Sequence, residues 1–256
     1  MKDIIKKIIT YRETIKNKHL DLFKEIVFDK IDSDKLIKYP EIEMNKLFEL
    51  LLDLKGTSLV EGLNIVNSLL NTQELDGDVC EFGVAQGKTS KLIGYLIKNT
   101  KKKFYLYDSF EGLPKPSALD KLKDDIFDLK TIENYQGKMS HKQDEVKSEL
   151  NNIKFDMNNL IINKGFFFKE NLFKFQFPKK ITFAYLDFDF YQPTLDALNI
   201  IDKILIKNGI IIVDDYDFFS TGVKTAVDSW YDLNKKNFTI TKIKTTLSNF
   251  IIIKKN

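Results

Sequence analysis

The stretch Val79-Cys-Glu-Phe-Gly-Val-Ala-Gln-Gly-Lys-Thr-Ser90 carries the pattern that decides the fold. A short apolar run with an acid leads into a glycine turn, and a segment of helical composition starts after the second glycine. A strand joined by a glycine turn to a helix is the first unit of a parallel α/β sheet, and the turn lets a ligand approach the backbone. We therefore predict a strand over Val79–Phe82, a helix over Thr89–Lys98 and a ligand site between them.

The chain after residue 75 repeats this alternation of strand and helix. We predict further strands over Phe104–Tyr107, Leu160–Ile162, Thr182–Leu186 and Ile210–Val213, and further helices over Lys142–Leu150, Thr194–Ile206 and Thr221–Leu233. Most of the strands are apolar throughout, which is typical of parallel strands buried on both faces. The last two β-like runs, Phe238–Lys242 and Asn249–Ile253, have no helix between them and predict a hairpin that adds an antiparallel strand.

Residues 1–74 show helical periods instead. Glu43–Leu54 has apolar residues at steps of three and four, and the spacing of Ser58 and Glu61 is that of a capping box at the start of another helix. We therefore expect a helical N-terminal extension over residues 1–74, which covers the site or forms a dimer contact, and a ligand-binding domain over residues 75–256.

The composition excludes several classes of protein. The 256 residues are 43% hydrophobic, enough for a sizeable core, and the net charge of +3 is too small for a protein that grips nucleic acid. The single cysteine, Cys80, permits no internal disulfide, and two histidines cannot build a multi-histidine zinc site. No apolar run reaches the roughly 18 residues of a membrane span. We expect a cytoplasmic protein without nucleic-acid or membrane partners.

Acidic residues lie at the ends of four of the five predicted parallel strands. These acids are Glu81 in the first strand, Asp108 after the second, Asp187 and Asp189 after the fourth, and Asp214 and Asp215 after the fifth. Ligands of open α/β sheets bind beyond the carboxyl ends of the strands. We therefore expect these acids to face one ligand site.

The first turn favours S-adenosylmethionine as the cofactor. Its glycines, Gly83 and Gly87, are spaced G-x-x-x-G, so the second glycine of the dinucleotide fingerprint, which admits the pyrophosphate, is missing. The acid before the turn, Glu81, suits a ligand with cationic groups, and S-adenosylmethionine has an amino group and a sulfonium. Asp108 is placed to accept hydrogen bonds from the ribose hydroxyls. A nucleotide-dependent oxidoreductase stays open as an alternative.

The acids after the fourth and fifth strands predict a metal site. Asp187, Asp214 and Asp215 are expected on neighbouring strand ends, where three carboxylates repel one another unless a cation lies among them. Oxygen ligands favour Mg²⁺, with Mn²⁺ or Ca²⁺ as alternatives. Such an ion beside a methyl donor lowers the pKa of a substrate hydroxyl. Asp189 alternates with Asp187 and is expected to point away from it, as a structural acid or a substrate contact.

Five motifs strengthen this interpretation. They are Asp76-Gly-Asp-Val-Cys-Glu-Phe-Gly-Val84, Tyr107-Asp-Ser-Phe-Glu-Gly-Leu-Pro114, Lys164-Gly-Phe-Phe167, Leu186-Asp-Phe-Asp-Phe-Tyr191 and Val213-Asp-Asp-Tyr216. Over roughly residues 55–235 the chain resembles the macrocin O-methyltransferase family of metal- and S-adenosylmethionine-dependent sugar O-methyltransferases. The resemblance implies a class I methyltransferase fold, which is Rossmann-like, with a seven-stranded, mostly parallel sheet and an antiparallel last strand. It also implies Mg²⁺ on Asp187, Asp214 and Asp215.

Four further residues complete the predicted cofactor site. Gly165 is expected to let the chain approach the adenine closely, and Phe166 is expected to stack on it. Ser90, at the helix start, and Ser109, in the second motif, are the other expected cofactor contacts.

The predicted catalytic and substrate residues come from the same motifs and one loop. Asp187 is a candidate general base as well as a metal ligand. His141 is either a base or substrate contact or an exposed residue at a helix start. Asp189, Tyr191 and Tyr216 are the expected substrate contacts.

Together these features predict an Mg²⁺-dependent O-methyltransferase. The expected acceptor is a sugar hydroxyl, on a nucleotide-linked sugar or a glycosylated small molecule, and the expected assembly is a homodimer. The non-enzyme alternative is an inactive methyltransferase fold that serves as a binding subunit. The segment Ser117–Ser140, long for a connection, is either an active-site lid or a surface helix.

Overall fold

A seven-stranded sheet forms the centre of the protein. The computed structural model describes residues 20–246 and 248–256. The strands are β1 (Asp78–Phe82), β2 (Phe104–Asp108), β3 (Leu160–Lys164), β4 (Ile181–Leu186), β5 (Leu205–Val213), β6 (Phe238–Lys244) and β7 (Asn249–Lys255). Their order is β3-β2-β1-β4-β5-β7-β6, with β1 to β5 parallel and β7 antiparallel to both of its neighbours. The predicted mixed sheet, ending in a hairpin, is confirmed.

Helices flank the sheet. They are α1 (Ser33–Leu36), α2 (Met44–Leu52), α3 (Leu59–Thr72), α4 (Lys88–Ile97), α5 (Gln143–Asn152), α6 (Tyr191–Ile204) and α7 (Thr221–Asn234). Residues 20–28 are also helical, and short 3-10 helices occur at Ile132–Tyr135, Met157–Asn159 and Lys169–Lys174. The predicted cap of α3 is present, since the N–H of Glu61 donates to Ser58 Oγ at 3.2 Å. No helix in the described part of the chain is long and apolar enough to cross a membrane.

The core has two layers, one on each face of the sheet. Successive residues of a strand point to opposite faces, so Tyr185 of β4 belongs to the layer formed with α2 to α5. Its neighbours Ala184 and Leu186 pack in the other layer, with α6 and α7. Glu81 of β1 pairs in register with Tyr185 and therefore shares its face.

The N-terminal helices pack directly on this sheet. The helix α3 contacts β4 and β5, and apolar residues of α2 and α3 belong to the same core layer as β1, β2 and β4. The boundary expected at residue 75 falls between α3 and β1. Residues 1–19 of the expected extension lie outside the described residues. The packing brings α3 close to the carboxyl ends of the central strands, where the functional residues lie.

Candidate active site

A cavity of about 570 Å³ lies at the carboxyl ends of the parallel strands. The predicted site residues that line it are Gly83, Asp108, Ser109, His141, Gly165, Phe166, Asp187, Asp189, Asp214 and Asp215. The other five predicted site residues, Glu81, Gly87, Ser90, Tyr191 and Tyr216, are not part of this lining. The cavity therefore joins the first turn to the acids of β4 and β5, as the sequence predicts.

The turn after β1 is fixed by close packing between backbone segments. Gly83 has a φ of +83°, and a Cβ at this position would lie 1.7 Å from the carbonyl oxygen of Asp187. Only glycine fits there, because the left-handed conformation and the contact both exclude a side chain. Gly87, also left-handed, would place a Cβ 3.0 Å from Val146 Cα, so it brings α5 close to the start of α4.

The carboxylate of Asp108 holds this turn. Its Oδ2 accepts the backbone N–H groups of Val84 at 2.7 Å and Ala85 at 3.1 Å, and its Oδ1 accepts the N–H of Phe110 at 2.6 Å. Backbone N–H groups that donate to a carboxylate form charge-assisted hydrogen bonds. Asp108 therefore has internal partners for its charge and still borders the cavity.

Three acids from neighbouring strand ends converge on the opposite side of the cavity. One carboxylate oxygen each from Asp187, Asp189 and Asp215 lies within 4.8 Å of the other two. We call these three residues the acidic triad. The expectation that Asp189 points away from Asp187 is wrong, because β4 ends at Leu186 and Asp189 adopts a φ of +63°, which breaks the alternation. Asp215 also has a positive φ, +55°.

Burial and mutual repulsion act on all three acids. Burial raises the pKa of Asp187, Asp189 and Asp215 well above the ordinary value, although each keeps part of its surface open to the cavity. Neighbouring aspartates raise these pKa values further: the charge of Asp214 acts on Asp187 and Asp215, and that of Asp187 acts on Asp189. A cation among them would reverse both effects. The donor set is all oxygen and suits a hard divalent ion.

Asp214 is placed differently from the triad. Its side chain is buried, Oδ2 accepts the hydroxyl of Tyr185 at 2.9 Å, and Oδ1 accepts the N–H of Asp215 at 2.7 Å. It borders the cavity, but both of its carboxylate oxygens have partners within the protein. Its predicted role as a metal ligand stays a prediction.

Glu61 is the acid that sequence reasoning missed as a functional residue. It is fully buried in the first turn of α3, and its Oε1 lies 3.3 Å from the hydroxyl of Tyr185. Burial and the charge of Asp214 raise the pKa of Glu61 well above its usual value. The sequence pattern assigned Glu61 only to a capping box, whereas in the structure it is buried together with its neighbours Gly62 and Leu63.

Glu81 and Ser90 lie behind the first turn and are fully buried. Among the described residues, neither carboxylate oxygen of Glu81 nor the hydroxyl of Ser90 has a hydrogen-bond partner of acceptable geometry. Burial raises the pKa of Glu81 well above its usual value. Glu81 therefore lies inside the fold, behind the first turn and outside the lining of the cavity.

The two predicted substrate tyrosines are engaged elsewhere. The N–H of Tyr191, at the start of α6, donates to Asp120 Oδ1 at 2.7 Å. The hydroxyl of Tyr216 donates to Asp228 Oδ1 at 2.7 Å, and the Lys242 ammonium lies 4.6 Å from the centre of its ring. Neither belongs to the lining of the cavity, and their role as substrate contacts stays a prediction.

The segment Ser117–Ser140 forms one wall of the cavity. Its helical content in the structure is the 3-10 turn Ile132–Tyr135, so the alternative of a long surface helix is wrong. Tyr135 is fully buried, its hydroxyl donates to Asp125 at 2.7 Å, and its ring packs on Phe219. The wall is therefore packed against the body of the protein.

Apolar residues that sequence reasoning did not single out line this side of the cavity. They are Leu113, Pro114, Ile126, Phe127, Met139, Phe218 and Phe219. His141 borders the same region, with its Nδ1 3.3 Å from Glu145 Oε2. The cavity thus has a polar, acidic side and an apolar side, which suits an amphipathic ligand.

The comparisons with known proteins identify the family. The sequence profile of the macrocin-O-methyltransferases (TylF) matches residues 49–250. The chain belongs to the macrocin-O-methyltransferase family. The match covers α3, strands β1 to β6, the first turn and the acidic triad, and it confirms the resemblance found in the sequence. This member of the family is therefore an O-methyltransferase, and the oxidoreductase and inactive-subunit alternatives are set aside.

Solved structures of other methyltransferases share the fold of this family member. The O-methyltransferase NovP is 18% identical, with a TM-score of 0.63 over 78% of this chain and 81% of that chain. The calicheamicin methyltransferase CalS11 is 19% identical, with a TM-score of 0.60 over 85% and 88%. An O-methyltransferase from Bacillus cereus, solved with S-adenosylhomocysteine (SAH), is 12% identical, with a TM-score of 0.52 over 90% and 100%. A comparison with curated protein sequences finds no significant match. These likenesses confirm the class I methyltransferase fold.

Proposed function

We propose that this methyltransferase transfers a methyl group from S-adenosylmethionine to a hydroxyl of a sugar, with Mg²⁺ held by the acidic triad. The observation that carries the proposal is one cavity that joins the β1 turn to three convergent carboxylates. The first feature suits a cofactor with a ribose and an amino-acid end, and the second suits a divalent ion.

The cofactor is proposed to lie along the β1, β2 and β3 ends of the cavity. S-adenosylmethionine supplies the electrophilic methyl group. Asp108 has lone pairs left for the ribose hydroxyls after accepting three backbone N–H groups, and Gly83 keeps the turn open to the ligand. Gly165 and Phe166 border the same part of the cavity and are proposed to contact the adenine, with Ser109 beside them. The relative from Bacillus cereus, solved with SAH, supports this choice of cofactor.

Three more predicted cofactor residues are proposed to act through the shape of the turn. Gly87 and Ser90 belong to the start of α4, and Glu81 lies buried just before the turn. Because none of them lines the cavity, we propose that they hold the backbone that the cofactor touches.

The metal is proposed to bind to Asp187, Asp189 and Asp215, with Asp214 as a further candidate. The fit rests on the donor set: oxygen atoms only, close together, in a site where burial and mutual repulsion oppose their charge. A bound divalent ion supplies Lewis-acid stabilisation of a deprotonated hydroxyl.

The proton of the acceptor hydroxyl is proposed to pass to a carboxylate oxygen of Asp187. Asp187 borders the cavity between the β1 turn and the rest of the triad, so it lies between the proposed positions of cofactor and acceptor. His141 is the second candidate base, because it borders the same cavity from the position that follows the wall segment Ser117–Ser140. Both assignments follow from position and from the chemistry of the two side chains.

The acceptor is proposed to be a sugar whose less polar side faces the apolar wall. Phe127 and Phe218 border the cavity, and aromatic rings suit the C–H faces of a sugar or an apolar group attached to it. Asp189, within the triad, is the predicted substrate contact that borders the cavity. CalS11 is described as a TDP-rhamnose 3'-O-methyltransferase, which supports a sugar acceptor here. The cytoplasmic location and the homodimer stay predictions.

A calorimetric titration with SAH tests the proposed cofactor. We expect micromolar binding in excess Mg²⁺ and also in EDTA, because the proposed cofactor contacts are separate from the triad. Radiolabelled S-adenosylmethionine with a panel of nucleotide sugars and glycosides then tests transfer. Absence of SAH binding in both conditions would contradict the proposal.

A further inference from the structure

A buried chain of polar groups reaches Asp214, the residue after β5, from the core layer that contains α3. At its centre is the hydroxyl of Tyr185, a buried residue of β4. This oxygen lies 2.9 Å from Asp214 Oδ2, 3.3 Å from Glu61 Oε1 and 3.4 Å from Thr57 Oγ1. Thr57 and Glu61 come from the start of α3, so the N-terminal helices contribute directly to this network.

Asp214 continues the chain into the acidic triad. While its Oδ2 accepts the Tyr185 hydroxyl, its Oδ1 accepts the backbone N–H of Asp215 at 2.7 Å. Asp215 has a φ of +55°, a conformation that residues other than glycine rarely adopt, and such a conformation persists where its surroundings fix it. The bond from Asp214 to this N–H is therefore part of what holds the Asp215 carboxylate toward Asp187 and Asp189.

We propose that Tyr185 is a positioning residue: its hydroxyl fixes the orientation of Asp214, and Asp214 in turn fixes the turn that presents Asp215 to the divalent ion. Glu61 and Thr57 keep the Tyr185 ring and hydroxyl in place from the side of α3. This inference rests on the proposed function, because it assumes that the acidic triad holds a metal.

The environment of Tyr185 argues against a role as an apolar filler. Phenylalanine would fill the same space, yet the position holds a phenol with three oxygen atoms around its hydroxyl. The second oxygen of Glu61, Oε2, is buried with no partner of acceptable geometry among the described residues. Buried polar groups are costly when they are unpaired, and hydrogen bonds within such a cluster hold the groups around it rigidly. The groups that it orders are Asp214 and the turn at Asp215.

The chain offers a matched control on the other side of β1. Tyr107 of β2 is also fully buried, and its hydroxyl donates to the carbonyl oxygen of Gln176 at 2.8 Å. Removing this hydroxyl costs one buried hydrogen bond but touches no acid of the triad. Tyr185→Phe and Tyr107→Phe therefore share a general structural cost and differ in their link to the triad.

The test is a calorimetric titration of each purified variant with MnCl₂ and, separately, with SAH, together with its melting temperature. We expect Tyr185→Phe to bind Mn²⁺ about tenfold more weakly than the wild type, within the range typical of groups that orient metal ligands. Its affinity for SAH should stay within twofold of the wild type. Tyr107→Phe should lower the melting temperature and leave the Mn²⁺ affinity unchanged.

The outcomes separate this inference from the function that it rests on. Wild-type protein that binds SAH and Mn²⁺, with Tyr185→Phe equal to it in Mn²⁺ affinity, overturns the positioning role alone. Wild-type protein that binds no divalent ion overturns both the proposed metal site and this inference. Should Tyr185→Phe not fold, Thr57→Val removes a weaker contact to the same hydroxyl, and an unchanged Mn²⁺ affinity in that variant also overturns the inference.

Discussion

Asp108 and Asp187, on two sides of the cavity, differ in the hydrogen bonds that their carboxylates accept. Asp108, beside the β1 turn, accepts hydrogen bonds from three backbone N–H groups in the turns around it. Asp187, in the acidic triad, accepts no hydrogen bond from any group in the described ranges 20–246 and 248–256. Burial and its acidic neighbours raise its pKa. Local peptide donors account for the difference: Asp108 has backbone partners within the fold, whereas Asp187 is proposed to bind a metal ion.

Replacing Asp187 should produce the largest loss of activity, because it alters the acidic triad and leaves the β1 turn unchanged. Asp187→Asn removes a metal ligand and the proposed base, and we expect kcat to fall by about 10³-fold, in line with the loss of acid–base catalysis. The affinity for SAH should change little. Steady-state kinetics and calorimetry check the two parts, and substantial turnover in the variant would sink the proposed role of the triad.

Replacing Asp108 should weaken cofactor binding instead. Asp108→Ala removes a charged acceptor for the ribose and releases the N–H groups of Val84, Ala85 and Phe110, so SAH should bind roughly 10- to 100-fold more weakly, equivalent to about 1.5–3 kcal/mol. The affinity for Mn²⁺ should be unchanged. A variant with full SAH affinity would show that the turn holds the cofactor without this carboxylate.

Glu81 extends the comparison to a buried acid that has no hydrogen-bond partner of acceptable geometry among the described residues. Its pKa is raised in the fold, so the folded chain keeps a proton that the unfolded chain releases above about pH 4.3. This contribution to stability is complete below that pH and is lost as the pH rises toward the folded pKa. The free energy of unfolding should therefore fall by up to about 1.4 kcal/mol per pH unit from this group.

Urea unfolding between pH 5 and pH 8, in EDTA, checks this expectation. Glu81→Gln should show a shallower decline with pH than the wild type, whereas the exposed control Glu170→Gln should follow the wild type. Parallel curves for Glu81→Gln and the wild type would mean that Glu81 is charged in the fold.

Lys55 should have the smallest effect. Among the described residues that line the cavity, Lys55 is the one lysine. It lies two positions before Thr57, whose hydroxyl forms a hydrogen bond with the hydroxyl of Thr89 in the first turn of α4. A carboxylate at the amino-acid end of the cofactor would be attracted to it. Lys55→Gln should weaken SAH binding by up to about fivefold, as for an exposed ion pair, and leave 5′-methylthioadenosine, which lacks the carboxylate, unaffected. Equal losses for both ligands would contradict this role.

The sheet and the cavity could be predicted because their signals are local. Apolar runs mark the strands, and the carboxyl ends of parallel strands meet at one edge, which brought Asp108, Asp187, Asp214 and Asp215 to the same cavity. The hairpin followed from the missing helix before β7. These predictions depend only on the order of strands and helices along the chain and not on contacts between distant residues.

The errors come from features that tertiary contacts set. The alternation argument failed for Asp189 because its positive φ is imposed by its surroundings, and nothing in Leu186-Asp-Phe-Asp signals it. Tyr191 and Tyr216 do not line the cavity, and the sequence alone does not give the path of the chain after β4 and β5. Glu61 meets Tyr185 from 124 positions away along the chain, so its role appears only when α3 is packed on the sheet.

The most direct test of the contrast between the two sides is a calorimetric titration of cofactor-free protein with Mg²⁺. We predict that the wild type and Asp108→Ala bind the ion with the same affinity, and that Asp189→Asn binds it at least about tenfold more weakly because one oxygen ligand of the triad is lost. Equal Mg²⁺ affinity in Asp189→Asn and the wild type, or no binding by the wild type, would contradict the account.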